Sequence, residues 1–194
     1  MMPIGEERNP IQRKICMLGA FGVGKTSLVD RLVRATFSQP PRAAVGVRVD
    51  KCSVEVSGRR MNMIVWDLHS EEDYRQHSKS YLRGAAGCML VVDGTRPSTL
   101  DDAAELMDLT EGHGPGPSTC FRETQGTWIR PACVLMLNKA DLTGDWRLES
   151  SRLDELDRRG LTVLKTSARN GRGVIEAFVA LGRAILEREG DQKT

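Results

Sequence analysis

The sequence has no apolar run near the roughly 18 residues that a helical membrane span requires. Its first residues, MMPIGEERNPIQRK, also lack the apolar segment of a secretory signal. A spanning or exported protein is thereby set aside, and a cytoplasmic location is the expectation. Charge of one sign is missing too. Lys plus Arg number 28 and Asp plus Glu 26, a formal +2, so no global field recruits nucleic acid or an anionic membrane; any basic partner surface must be local, and nucleic acid is not expected as a partner. The five cysteines, Cys16, Cys52, Cys88, Cys120 and Cys133, form no CxxC pair and have no histidine at ligand spacing. Three of them lie inside apolar runs, which suits reduced core thiols rather than a disulfide or metal framework. Met2 rather than glycine follows Met1, and the tail EREGDQKT has no cysteine, so neither myristoylation nor prenylation is written in these residues and no lipid anchor is seen in them. Internal repeats are absent. The only compositional break is GHGPGPSTCFRETQG, Gly112 to Gly126, where glycine and proline interrupt any helix. It reads as a surface loop, either an ordinary connection or a partner-binding insertion.

What is present is alternation. With 194 residues, enough for one ordinary domain with its own core, the chain sets short apolar runs between amphipathic stretches. KICMLGA is followed by Thr26 to Arg34, with Leu28, Val29, Leu32 and Val33 at helical spacing. KCSVEVSG and RRMNMIVWD flank Gly58 as a strand hairpin. Then come GCMLVVD, a helix opening at STLDD, the strand ACVLMLNK, a helix within RLESSRLDELDRRG, the strand LTVLKTS, and a last helix with Val174, Phe178, Leu181 and Ile185 on one face. Near-continuous apolar strands separated by helices predict an α/β fold. Its sheet is mostly parallel and covered on both faces, with one antiparallel edge strand and ligands at the strands' carboxyl ends.

The first strand runs into GAFGVGKTS, Gly19 to Ser27, which satisfies G-x-x-x-x-G-K-[ST] between a strand and a helix. Glycines there let backbone N–H groups turn inward on phosphate oxygens, while the helix N-terminus points at the same anion. Phe21, Gly22, Val23, Gly24 and Ser27 would line that cradle. Lys25 would reach the β and γ phosphates, and the Thr26 hydroxyl would sit on Mg2+. ATPases, kinases and GTPases share this loop, but LNKAD narrows the base. Asn138, Lys139 and Asp141 follow a buried strand, where a carboxylate can accept from guanine's N1–H and amino group, a donor pair that adenine lacks. The Lys139 stem can cover the ring. In TSAR, after the next strand, Ser167, Ala168 and Arg169 are candidate base contacts, the Ala168 N–H lying near the guanine O6.

GAFGVGKTS, WD, LNKAD and TSAR in this order resemble a Ras-superfamily small GTPase, and SYLRGAAGCMLVVDGT is similar to the Rab branch. The likeness covers about Lys14 to Leu186. It implies a P-loop G domain over residues 14–187, between a polar lead, 1–13, and a polar tail, 188–194. It further implies six strands and five helices, GTP or GDP with Mg2+, and an effector or regulator protein reading two switch segments, 38–50 and 68–81. The family's aromatic residue against the guanine edge falls on Phe37.

Three departures go with the likeness. Where the family has a threonine that completes Mg2+ coordination, nineteen residues after the P-loop lysine, this chain has Ala44. In the second switch Asp67 keeps the metal position, but Ser70 replaces a glycine and Glu71 the glutamine that orients the attacking water, so Glu71 is the catalytic candidate by position only. Its carboxylate adds like charge: at an effective dielectric near 20, unit charges ~5 Å apart repel by about 3 kcal/mol. Phe21 stands where Ras has glycine, and its ring either crowds the route of an arginine finger or packs over the loop; both predict poor stimulation by a conventional activating protein. Together the departures imply a slow GTP/GDP switch, or else a nucleotide-binding interaction module with little or no hydrolysis. His69 reads as an exposed histidine.

Overall fold

The computed structural model describes residues 10–36, 42–44, 47–68, 80–111, 122–124, 127–158 and 160–190. Strand β1 (Ile11–Leu18) leads into α1 (Lys25–Ala35). The hairpin expected around Gly58 is β3 (Val47–Val56) and β4 (Arg59–Leu68), antiparallel from Val47↔Leu68 to Val56↔Arg59. Next follow β5 (Gly87–Asp93), α2 (Ser98–Glu111), β8 (Ala132–Asn138), α3 (Ser150–Arg158), β9 (Thr162–Lys165) and α4 (Val174–Gly190). Residues 80–82 are helical as well.

The strands form one sheet in the order β3-β4-β1-β5-β8-β9, parallel throughout except for β3: the mostly parallel sheet with an antiparallel edge that the alternation predicts, with the six strands that the resemblance implies. A seventh strand, β2 (Arg42–Ala44), lies antiparallel on β3 beyond it. A separate ladder pairs β6 (Arg122–Thr124) with β7 (Thr127–Ile129), so residues 122–124 of the stretch read as a surface loop form a short strand.

Period-2 alternation sorts the strand side chains between two cores. Ile15, Met17, Met89, Val91, Val134 and Met136 meet α1 and α4, whose Leu28, Val29, Leu32, Phe178, Leu181 and Ile185 are buried. On the opposite face Cys16, Leu18, Cys88, Leu90, Leu135 and Leu137 meet Leu100, Ala103 and Met107 of α2 and Leu156 of α3. Every residue of β5 is buried, as a central strand covered on both faces requires. Cys16, Cys52 and Cys88 are buried and Cys133 is half-buried, none of the four in a disulfide; burial, then the nearby Asp50 carboxylate, pushes the Cys52 thiol up to about 12. Among the described residues no helix is long and apolar enough to cross a membrane.

Candidate functional site

Five strands deliver their carboxyl ends to one edge of the sheet: β1 ends before the Gly19 loop, β4 at Leu68, β5 at Asp93, β8 at Asn138 and β9 at Lys165. That edge is where an open α/β sheet takes ligands.

The loop after β1 needs its glycines for backbone reasons. A Cβ on Gly19 would lie 2.3 Å from the Val91 carbonyl oxygen, and one on Gly24 (φ +100°) 2.4 Å from Asn138 Nδ2. With Gly22 also at positive φ (+74°), the chain takes a left-handed path that turns backbone N–H groups inward. Lys25 opens α1 and folds back, its Nζ donating to Gly19 O at 2.7 Å and Ala20 O at 3.0 Å. The Thr26 side is half-buried and Ser27 is exposed. Phe21 is 72% exposed.

Asn138 joins the loop to the other end of the edge. Its Nδ2 donates to Val23 O at 2.8 Å, and its Oδ1 accepts from the Ala168 N–H at 3.1 Å. The N–H expected beside the guanine O6 is therefore already held by Asn138, and a ligand oxygen there would share or displace that acceptor. Asp141 Oδ1 accepts from Ser167 Oγ at 2.6 Å, while the exposed Arg169 comes within 3.9 Å of its Oδ2. Ser167 thus fixes the carboxylate by one oxygen. Lys139 sits at φ +63°, a left-handed conformation uncommon outside glycine.

Residues to which the motifs give no role complete the frame. Arg31, on the helix that begins with Lys25, donates from Nε to Ala168 O at 3.0 Å and also to Arg169 O, holding the last loop from below. Asp93 is buried at the end of β5, with Lys139 Nζ 2.7 Å and Arg96 Nε 2.9 Å from its Oδ2 and with Thr95 N–H and hydroxyl on its Oδ1. Burial alone would raise that carboxyl; the bonds from Lys139, Thr95 and Arg96 outweigh it and hold it down to about 2. The sequence signals for Asp93 are a carboxylate closing a buried apolar strand and its place in the Rab-like run SYLRGAAGCMLVVDGT, neither of which gives it a role, and Arg31 has no signal.

Asp67 is wholly buried on β4, in register with Met17 of β1 and Arg48 of β3, just before the phosphate-type loop. A buried carboxylate and the Thr26 hydroxyl are hard oxygen donors of the kind Mg2+ takes, so the residue types fit that ion. Ala44 closes β2 and pairs with Val47, bringing no side-chain oxygen. Phe37, His69, Ser70 and Glu71 lie outside the described residues.

The family model described as Ras family matches residues 14–187. The chain is similar to the Ras-related protein Rab-4B of Homo sapiens, 32% identical over 180 residues covering 90% of this chain and 76% of that protein. It is also similar to Rab-8B of Dictyostelium discoideum, 30% identical over 176 residues (90% and 80% of the two chains). Rab-13 of Mesocricetus auratus is 28% identical over 182 residues, 93% and 83% of the two chains.

Proposed function

Since the chain belongs to the Ras family of small GTPases, on its Rab-like side, we propose that it is a guanine-nucleotide switch whose intrinsic hydrolysis of GTP is slow. Ras and Rab proteins in general bind GTP or GDP with Mg2+ and interact with effectors and regulators. The observation that carries the reading to this chain is Asn138, whose amide closes the phosphate loop and the base loop into one site through Val23 O and the Ala168 N–H.

In that site the inward N–H groups of Gly22 to Lys25 and the Lys25 ammonium hold the phosphates. The fixed Asp141 carboxylate accepts from the guanine N1–H and amino group, and the Lys139 stem covers the ring. Phe37 would lie against the guanine edge. Thr26 and Asp67 would hold Mg2+, which neutralises charge on the β and γ oxygens. Slow turnover follows from what Ala44 and Glu71 lack: the first has no hydroxyl for the ion, and the second places a carboxylate where an amide would orient water. A cytoplasmic partner reading residues 38–50 and 68–81 is the corresponding output.

One observation favours the second reading, a module that binds nucleotide without hydrolysing it: Ala44 is paired with Val47 in a sheet-edge ladder. Single-turnover hydrolysis separates the two, with an Ala44→Thr, Glu71→Gln double variant as the comparison. The switch reading expects measurable wild-type hydrolysis that the double variant accelerates. A wild-type rate equal to that of free GTP, together with equal affinities for GDP and GTP, overturns it in favour of the module. Binding of ATP but of neither guanine nucleotide overturns both.

A further inference from the structure

We propose that Arg96 is a positioning residue of this site, which with Asp93 locks the base-side Lys139 to the phosphate loop so that the two ends of the nucleotide are gripped as a unit. The inference rests on the guanine-nucleotide reading and adds to it residues outside its motifs.

Asp93 is the junction. Its side chain is 1% exposed, and its Oδ2 lies 2.7 Å from Lys139 Nζ and 2.9 Å from Arg96 Nε. Thr95 occupies Oδ1 with its N–H at 3.0 Å and its hydroxyl at 2.7 Å, so the carboxylate has no rotational freedom. The same Arg96 guanidinium donates from its Nη2 to the Phe21 carbonyl at 2.8 Å. One planar cation thus spans from the end of β5 to the phosphate loop, using two nitrogens of a rigid fork. A lysine ammonium is a single point on a flexible stem and cannot hold both acceptors at that separation.

Two consequences follow. The Phe21 carbonyl, held by Arg96, would limit how far the loop must reorganise for its following N–H groups to meet the phosphates, which is where preorganised sites gain affinity. One carboxylate also faces two cations, leaving a net positive charge behind the loop that a polyphosphate meets. A purely local role is the rival explanation, because the Arg96 N–H also donates to Asp93 O at 2.9 Å in the turn that enters α2. That turn survives loss of the side chain.

The test is release of a fluorescent GDP analogue, with Mg2+ present, from the full chain stripped of nucleotide and reloaded. Arg96→Met is expected to release it about tenfold faster, the effect of one charge-assisted bond at a half-exposed site. Arg96→Lys is expected to do nearly the same, and nucleotide-free melting to move by no more than about 2 °C. In an Asp93→Asn background, Arg96→Met should add less than about threefold, because the junction is already open. Wild-type release by Arg96→Met, full rescue by Arg96→Lys, or factors that simply multiply with Asp93→Asn would each overturn the proposal. Should Arg96→Met fail to fold, Arg96→Lys alone decides, fast release supporting the lock and wild-type release ending it. A wild-type chain that retains no guanine nucleotide would bring down the functional reading itself, whereas normal retention with unaffected variants removes only the role of Arg96.

Discussion

On the guanine-nucleotide reading proposed above, the residue that would decide the base is Asp141. One oxygen of its carboxylate accepts from Ser167 Oγ at 2.6 Å, which favours the orientation that would meet the base. Asp141→Asn replaces an acceptor by a donor, which opposes guanine's amino group and suits the carbonyl that xanthine carries in its place. Competition binding should therefore show GDP weakened by at least about a hundredfold and XDP preferred over it, the scale of leaving a buried polar group unpaired. Asp93 makes a prediction in pH. Its carboxyl is held down to about 2, below the unfolded value of about 3.8, so its contribution is present above the unfolded value and is lost as pH falls toward the folded one. A shift of that size is about 2 kcal/mol. Denaturant titrations from pH 5 to pH 2 should show wild type losing about that much more stability than Asp93→Asn, which has no such proton to take up.

At the scale of elements, glycine geometry and core packing separate binding from folding. Gly24→Ala would place a methyl 2.4 Å from Asn138 Nδ2 at a φ of +100°, so the amide that bridges the two loops must move. Nucleotide affinity should fall more than tenfold while the melting temperature drops by only a few degrees. Phe178→Ala acts the other way round. Its ring is wholly buried where α4 covers the sheet, and truncation should cost about 3–5 kcal/mol in denaturant unfolding. The elements legible in the sequence were those whose signal is local. β5 and β8 are unbroken apolar runs, α1 and α4 repeat at helical spacing, and the β3–β4 hairpin is marked by Gly58. Three strands were hidden: β2, whose RAA carries no strand propensity and exists through its ladder with Val49, Arg48 and Val47, and the paired β6 and β7, three residues each beside a Gly/Pro-rich stretch. The site divided the same way. Contiguous motifs announced Lys25, Asn138 and Asp141, whereas Arg31, Asp93 and Arg96 matter only because folding brings residues 31 and 168, or 96 and 21, within bonding distance.

Across the whole molecule, the nucleotide would be the one body touching every layer: the helix N-terminus that carries Lys25, the loops after β1 and β8, and the turn after β9. Those parts come together only in the folded chain, so a ligand there binds native protein and not the unfolded chain, and stability must rise by linkage. At a concentration of about one hundred times its dissociation constant the gain is about 2.7 kcal/mol. For a domain of this size that corresponds to a rise in melting temperature of roughly 5–10 °C. Nucleotide-stripped protein should show this rise with GDP and Mg2+ and no rise with the same concentration of ATP. Chelating the metal with EDTA should remove a substantial part of it, because the negative phosphate oxygens would then face the buried Asp67 carboxylate without a cation between them. If the rise were identical with and without EDTA, Thr26 and Asp67 would not be holding a metal, and the loss of a hydroxyl at Ala44 would mark a site that works through Lys25 and the backbone alone.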